Sequence, residues 1–481
     1  MKPFLFYSLA LLVFVCGISL TLQQGRKLQP SSAALASPPT PAAETRNLAG
    51  VEPSPSLLVN LRENLQDPLP RLFLQLIVIV VAARMFGMLA AQLRQPAVVG
   101  EMIAGILLGP SLLGWVWPDF FHFVFPAQSL GSLRLFSQIG VCLFMFVVGM
   151  EVEVRELKQQ ARTAVLVSQV SILFPYLLGM ISALFLFSTF AGPGTTFPAF
   201  ALFIGVSMSI TAFPVLARIL EERGLTKSPL GVTALVCAAM NDVTAWCILA
   251  LVVAIAKARS AASAGLSIGL VVLFVCVMLL WIRPHLPRLL GRVVPAGGKP
   301  GKGVMAGVVA LLFASALATD VMGIHALFGA FLAGVVMPER SEFREFLRER
   351  LEHFSSAFLL PLFFAFVGLR TQVGLLSDST DLLLCAGLIA VATVGKLGGA
   401  MVAARLTRVN WIDSFALGAL MNTRGLVELI ALNIGFDLGI LTPRIFAMLV
   451  IMALMTTGMT GPLLTFSDYL RTRKSLASRL A

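Results

Sequence analysis

Between residues 70 and 464 the chain is a succession of apolar runs separated by short polar gaps. A run of about twenty apolar residues, wound as a helix at about 1.5 Å per residue, crosses the hydrocarbon core of a bilayer. In lipid each segment must satisfy its own backbone N–H and C=O groups, so runs of this length are helices. The candidate spans are 70–90, 95–113, 132–150, 163–187, 197–217, 229–256, 264–283, 303–319, 321–337, 355–371, 382–404, 412–434 and 441–464. Composition agrees: 58% of residues are hydrophobic and 12% charged, against about 25% charged in soluble domains. The expected fold is an all-α polytopic membrane protein with thirteen transmembrane helices.

Residues 1–22 carry an apolar run behind Lys2 and read as a signal peptide or signal-anchor helix. Residues 23–66 are rich in Pro, Ser and Ala, lack apolar periodicity, and read as a flexible exported linker. The transmembrane domain is expected over 67–466, followed by a short basic tail at 467–481.

The loops set the topology. One alternating set holds most of the basic residues, among them Arg155, Lys158, Arg218, Arg223, Arg288, Arg344, Arg348 and Arg405, and the tail adds Arg471 and Arg473. The opposite set has Arg134, Lys257, Arg259, Arg370 and Arg444 near span ends. The positive-inside rule then puts the first set and the C-terminus in the cytoplasm and the 23–66 linker outside. A bacterial inner (plasma) membrane is the expected location. The charged stretch at 338–354 has helical period and reads as a solvated helix joining two halves.

The formal charge of +12 does not make this a nucleic-acid-binding protein, because the basic residues sit in interhelical gaps and form no separate domain. The six cysteines lie in apolar runs and read as small buried hydrophobes, and the four histidines form no ligand pattern. No HExxH, GxSxG or paired-acid motif within a span supports an enzyme. GGKPGKG at 297–303 is not a phosphate-binding loop, since no Ser or Thr follows the lysine. No cofactor is expected.

Chemistry points to a few charges inside the spans. Asp242 is the only charged residue between Lys227 and Lys257 and sits midway. A carboxylate at that depth costs several kcal/mol unless it is paired or protonated. Such a group is kept where a cation or proton must bind. Asn241 adjoins it, about 100° around the helix. Lys396 stands alone in the run 382–404; it is too deep to snorkel, and Asp242 is the expected partner. In the run 412–434, Arg424 and Glu428 are four apart, share a helix face and can pair.

Two runs carry signs of a break. In SMSITAFPVL, Ser207, Ser209 and Thr211 precede Pro214, which removes a backbone donor and is expected to break or kink the helix there. In the second half, Asn422, Thr423, Arg424 and Gly425 interrupt an apolar run. Hydroxyls and freed carbonyls beside an unwound stretch can coordinate a cation. The triplets 163–187/197–217/229–256 and 382–404/412–434/441–464 match in order, each with an interrupted middle member, and run in opposite senses. That is the pattern of inverted-topology repeats with two discontinuous crossing helices, as in secondary transporters.

Five stretches, RQPAVVGEMIAGILLGPSLLG at 94–114, NDVTAWCILAL at 241–251, GIHALFGAFLAGVVMP at 323–338, PLFFAFVGLRT at 361–371 and NTRGLVELIALNIG at 422–435, resemble monovalent cation/proton antiporters of the Kef-type and plant cation/proton-exchanger group. The resemblance covers 71–464. It implies the thirteen-helix sodium/proton-antiporter fold, a core moving against a dimer-forming domain, and a homodimer in the lipid bilayer. It maps Asp242 to the ion- and proton-binding carboxylate and Asn241 to the place where some relatives carry a second Asp. It makes Lys396 the basic residue that can pair with the site. Na+ or K+ and H+ are the implied substrates, and an Asn-Asp pair implies electroneutral exchange. Ser207, Ser209, Thr211, Asn422 and Thr423 are expected to line the broken helices, with Arg424 and Glu428 stabilising the crossing. No βαβ run follows the last span, so the cytoplasmic nucleotide-binding domain of many relatives is not expected. A sodium-coupled organic-anion symporter of similar fold and a cation channel are the alternative readings.

Overall fold

In the computed structural model the described residues are 67–93, 95–151, 161–257, 261–293, 301–323, 325–338 and 341–480, with single positions 17, 20 and 64. The expected leader at 1–22 and linker at 23–66 lie almost wholly outside them. The main helices are α1 (Pro68–Gln92), α2 (Ala97–Leu108), α3 (Leu130–Glu151), α4 (Ala161–Phe190), α5 (Phe197–Ser209), α6 (Phe213–Glu222), α7 (Pro229–Lys257) and α8 (Ala261–Cys276). They continue with α9 (Lys302–Val321), α10 (Ala326–Val335), α11 (Ser341–Phe354), α12 (Leu360–Arg370), α13 (Ser379–Thr393), α14 (Gly399–Leu406), α15 (Trp411–Met421), α16 (Leu426–Asp437) and α17 (Pro443–Leu480). A π-helical turn, Val394–Gly398, joins α13 to α14 and holds Lys396.

Among the described residues, 11 helices are long and apolar enough to cross a membrane, or 12 if the bent pair α15–α16 is one span. The expected span at 321–337 is a helix of only 10 residues, α10. Its start is set by Gly323, at φ 83°, and by His325, whose side chain caps the Leu327 N–H. The charged stretch at 338–354 forms α11 as its period predicts. The last helix does not stop near 464 but continues for 38 residues to Leu480.

The helices pack as two groups. In one, α3 lies against α10, α11 and α12, α2 against α1 and α12, and α9 against α10. In the other, α4 lies against α5, α7 and α14, α17 against α13, α15 and α16, and α7 against α5, α6 and α15. Between the groups, close backbone approach is sparse and occurs chiefly where α17 meets α2 and the turn Val373–Leu375. Small residues permit the tight crossings that lipid-embedded helices rely on. At Gly368 a Cβ would stand 2.0 Å from the Gly105 carbonyl carbon, so α2 and α12 meet backbone to backbone.

The interior is apolar and the outside is apolar too. Trp115, Phe185, Leu280 and Leu383 are among the most exposed side chains. A soluble domain rarely exposes apolar surface on this scale, whereas a bilayer solvates it. Burial therefore discriminates here through polar groups: Asn241, Asp242, Lys396, Asn422, Thr423, Arg424 and Glu428 are all buried.

Candidate functional site: a crossing of two interrupted helices

The second group of helices is organised around two breaks. α5 ends at Ser209, Ile210 and Ala212 are extended, and α6 starts at Phe213. Pro214 is not at the break. It sits in the first turn of α6, where its missing N–H costs nothing and its fixed φ suits the helix. The second break falls between Met421 and Leu426 and bends α15 from α16 by 42°. Gly425 there takes φ 157°, ψ −129°, a conformation L side chains rarely adopt.

Each break leaves backbone groups without a helical partner, and in an apolar interior these must be satisfied locally. The two breaks satisfy one another. Thr211 Oγ1 donates to the Met421 carbonyl at 2.9 Å, and the Ala212 N–H donates to the Thr423 carbonyl at 3.0 Å. The last turn of α5 is closed by a side chain. Arg424 Nη1 donates to the Ser207 carbonyl at 2.6 Å and Nη2 to the Met208 carbonyl at 2.7 Å. A cation at a helix C-terminus also opposes the negative end of the helix dipole. Arg424 lies in the break and not on the helix, so it shares no helix face with Glu428. The two nevertheless pair, at 3.2 Å, because the chain folds back at Gly425.

α7 carries Asn241 and Asp242 to this crossing, at 0% and 1% exposure. The Thr211 N–H donates to Asn241 Oδ1 at 3.1 Å, and Asn241 Nδ2 donates to Ser171 Oγ at 3.2 Å. The amide thus ties the unwound strand of α5–α6 to α7 and α4. Lys396 reaches in from the π turn and donates to Thr211 Oγ1 at 2.6 Å. Its electrostatic neighbours are Arg424, Glu428 and Asp242. Thr211 therefore connects all three parts: N–H to α7, hydroxyl to α15, and hydroxyl from Lys396.

All ten residues singled out in the sequence are buried in this part of the fold. Their contacts differ in kind. The Ser207 and Ser209 hydroxyls donate back to the carbonyls of Phe203 and Val206 at 2.8 and 2.9 Å. It is the Ser207 and Met208 carbonyls that face the crossing. Asn422 Nδ2 donates to the Thr456 carbonyl, and Thr423 meets Thr460, both at 3.4 Å. Sequence reading missed the polar stripe Thr456, Thr457, Thr460 on α17. Thr457 Oγ1 accepts from the Arg424 N–H at 3.0 Å and donates to the Arg424 carbonyl at 2.8 Å. The spacing of that stripe, on one helix face, was the available signal. Ser171 and Glu101 were missed too. Glu101 is buried on α2, with Arg218 and Arg84 as electrostatic neighbours.

Chemically, the crossing offers a buried carboxylate with an ammonium, a guanidinium, hydroxyls and peptide carbonyls close by. Such a set can hold a proton or a small cation, and it contains no nucleophile paired with a base.

The family described as sodium/hydrogen exchanger, transmembrane, matches residues 77–466. The chain belongs to the sodium/hydrogen exchanger family. Among relatives, it is 42% identical to the Na(+)/H(+) antiporter NhaS4 of Synechocystis, over 81% of this chain and 95% of the relative. It is 40% identical to cation/H(+) antiporter 17 of Arabidopsis thaliana, over 83% of this chain and 48% of that protein. It is 32% identical to the K(+)/H(+) antiporter 1 of Saccharomyces cerevisiae, over 86% and 49%. The chain thus spans about half the length of the plant and yeast exchangers. Its fold is similar to that of the sodium proton antiporter MjNhaP1 from Methanocaldococcus jannaschii, with TM-score 0.53 at 14% identity, covering 83% of this chain and 97% of that one. An exchanger-family member with this many apolar helices is an integral membrane protein.

Proposed function

We propose that this chain is a secondary active monovalent cation/proton antiporter that exchanges Na+ or K+ for H+ by alternating access at Asp242. The observation that carries the reading is the placement of Asp242: buried at 1% exposure, beside the crossing of two interrupted helices, in a chain of the sodium/hydrogen exchanger family. The carboxylate holds either a proton or a cation, never both. Competition for one site then couples the two fluxes without a nucleotide. Oxygens of the interrupted helices around Thr211, Asn422 and Thr423 complete the cation's shell when the crossing loosens.

The finer features follow the same reading. Spans α4, α5–α6, α7 and α13–α14, α15–α16, α17 form two inverted repeats, and with α8 and the other group they give thirteen membrane crossings. The group holding the crossing rocks against the other, which forms the contact surface of a homodimer. The C-terminus is cytoplasmic and the N-terminal linker outside, in a bacterial inner membrane. Asn241 in place of a second acid makes exchange electroneutral.

The test is antiport in proteoliposomes with a pH-sensitive dye, comparing sodium, potassium and lithium. Asp242→Asn abolishes cation-driven proton movement; full exchange in that variant refutes the role. Clamping the membrane potential leaves the wild-type rate unchanged if exchange is electroneutral.

A further inference from the structure

We infer that Asp437 is the gating residue of the non-cytoplasmic path, held shut by Arg134 and Arg370. Five basic residues stand against the positive-inside bias, and three of them, Arg134, Arg370 and Arg444, are in ion pairs. Arg444 joins Asp381 within one helix group. The other two do something different: both reach from the opposite group to Asp437, the last residue of α16. Arg134 of α3 is 3.0 Å from Oδ2, and Arg370 of α12 is 2.6 Å from Oδ1.

Arg370 is the tighter of the two. It also donates to Asn433 Oδ1 at 3.1 Å. Its guanidinium lies 4.1 Å from the Phe366 ring centre on α12 and 5.4 Å from that of Phe436 on α16. It therefore grips both groups, by cation–π stacking as well as charge. Arg134 is more exposed, at 44%, and an exposed pair holds weakly.

Beneath this clamp lies a chamber of ≈ 30 Å³ lined by Ser137, Gln138, His325, Asn433 and Asp437 among apolar neighbours. That is room for about two waters. One face of α16 (Asp437, Ile434, Asn433, Ile430) lines it, running about 10 Å along the helix toward Glu428 and the break. Two guanidiniums on one carboxylate leave net positive charge at the mouth, which repels an entering cation. Because backbone contact between the groups is sparse, releasing this clamp both clears the mouth and frees α16 to move. The inference rests on the antiport reading for its direction and purpose; the clamp itself is geometry.

Two measurements test it, in the full chain with its own cysteines replaced by alanine and reconstituted in liposomes. The first introduces Gln138→Cys and follows its modification by a membrane-impermeant maleimide from the outer side. Arg370→Gln and Asp437→Asn each raise the rate at least about threefold, and Arg134→Gln raises it less; unchanged rates overturn the gate. Arg370→Lys, the milder variant, keeps the charge and gives an intermediate rate. The second joins Arg370→Cys to Asp437→Cys with a short reducible bis-thiosulfonate. Cross-linking removes at least nine-tenths of exchange and a reductant restores it; undiminished exchange in the cross-linked protein overturns the gate. If the wild-type chain proves not to exchange at all, the antiport reading fails, and the maleimide rates still decide the gate.

Discussion

Arg424 Nη1 lies 2.6 Å from the Ser207 carbonyl oxygen, 217 residues away in sequence. This contact, with its companion to Met208, makes the side chain of one break the C-terminal closure of the other broken helix. The two interruptions are one structure, and neither can be removed independently.

Replacing Arg424 by Met should therefore be severe. It strands the carbonyls of Ser207 and Met208 and leaves Glu428 buried without its partner, for a loss of about 3–5 kcal/mol. The midpoint of thermal unfolding in detergent should fall sharply. The double variant Arg424→Met/Glu428→Leu should fall less than the sum of its single changes, because the orphaned carboxylate goes too.

Thr211→Val is nearly isosteric but removes the hydroxyl that accepts from Lys396 and donates to Met421. A buried ammonium losing a charge-assisted hydrogen bond costs about 1.5–3 kcal/mol. Thr211→Ser should retain most of the stability and of the exchange rate. Equal behaviour of the two variants in thermal unfolding would contradict the assigned contacts.

Gly425→Ala tests the backbone of the second break. At φ 157° the added Cβ would stand 2.9 Å from Val215 Cγ2, and the conformation itself costs about 1–3 kcal/mol for a side-chain-bearing residue. Adding Val215→Ala relieves the contact but not the torsion. The double variant should recover only part of the lost unfolding midpoint.

Asn241 separates two roles. Asn241→Ala leaves the Thr211 N–H buried and unsatisfied, for about 1–3 kcal/mol. Asn241→Asp keeps an acceptor for that N–H, loses the donor to Ser171 and adds a second ionisable group beside Asp242. Exchange in that variant should become sensitive to the membrane potential, measured by comparing rates with and without a potassium–valinomycin clamp.

Much of the site was legible because charge in an apolar run is conspicuous. Asp242, Lys396, Arg424 and Glu428 each stand in sequence where desolvation demands a reason, and all four lie in the buried part that holds the crossing. The break at Asn422–Gly425 was legible for the same reason. Pro214 pointed to the right helix but not the right residue, since proline is as much at home starting a helix as ending one. Ser171 and the Thr456–Thr460 stripe were silent because hydroxyls in membrane helices commonly bond back to their own turn, as Thr456 does to Met452. Nothing in one strand of sequence says which hydroxyl also faces a break. The short α10 was read as a full span because hydropathy counts apolar residues and does not see Gly323 and His325 setting its start.

The uninterrupted length of α17 has a mechanical consequence. At 38 residues it is about 57 Å of continuous helix, far longer than the lipid it crosses. It touches the α16 break through Thr457 and, further along, holds the start of α15 through Arg471 and Asp413, 2.5 Å apart. A rod fixed to both halves of a hinge reports the hinge's angle at its free end. Any tilt of the broken pair is delivered, magnified by leverage, to the protruding basic turns, where a probe outside the lipid can read it.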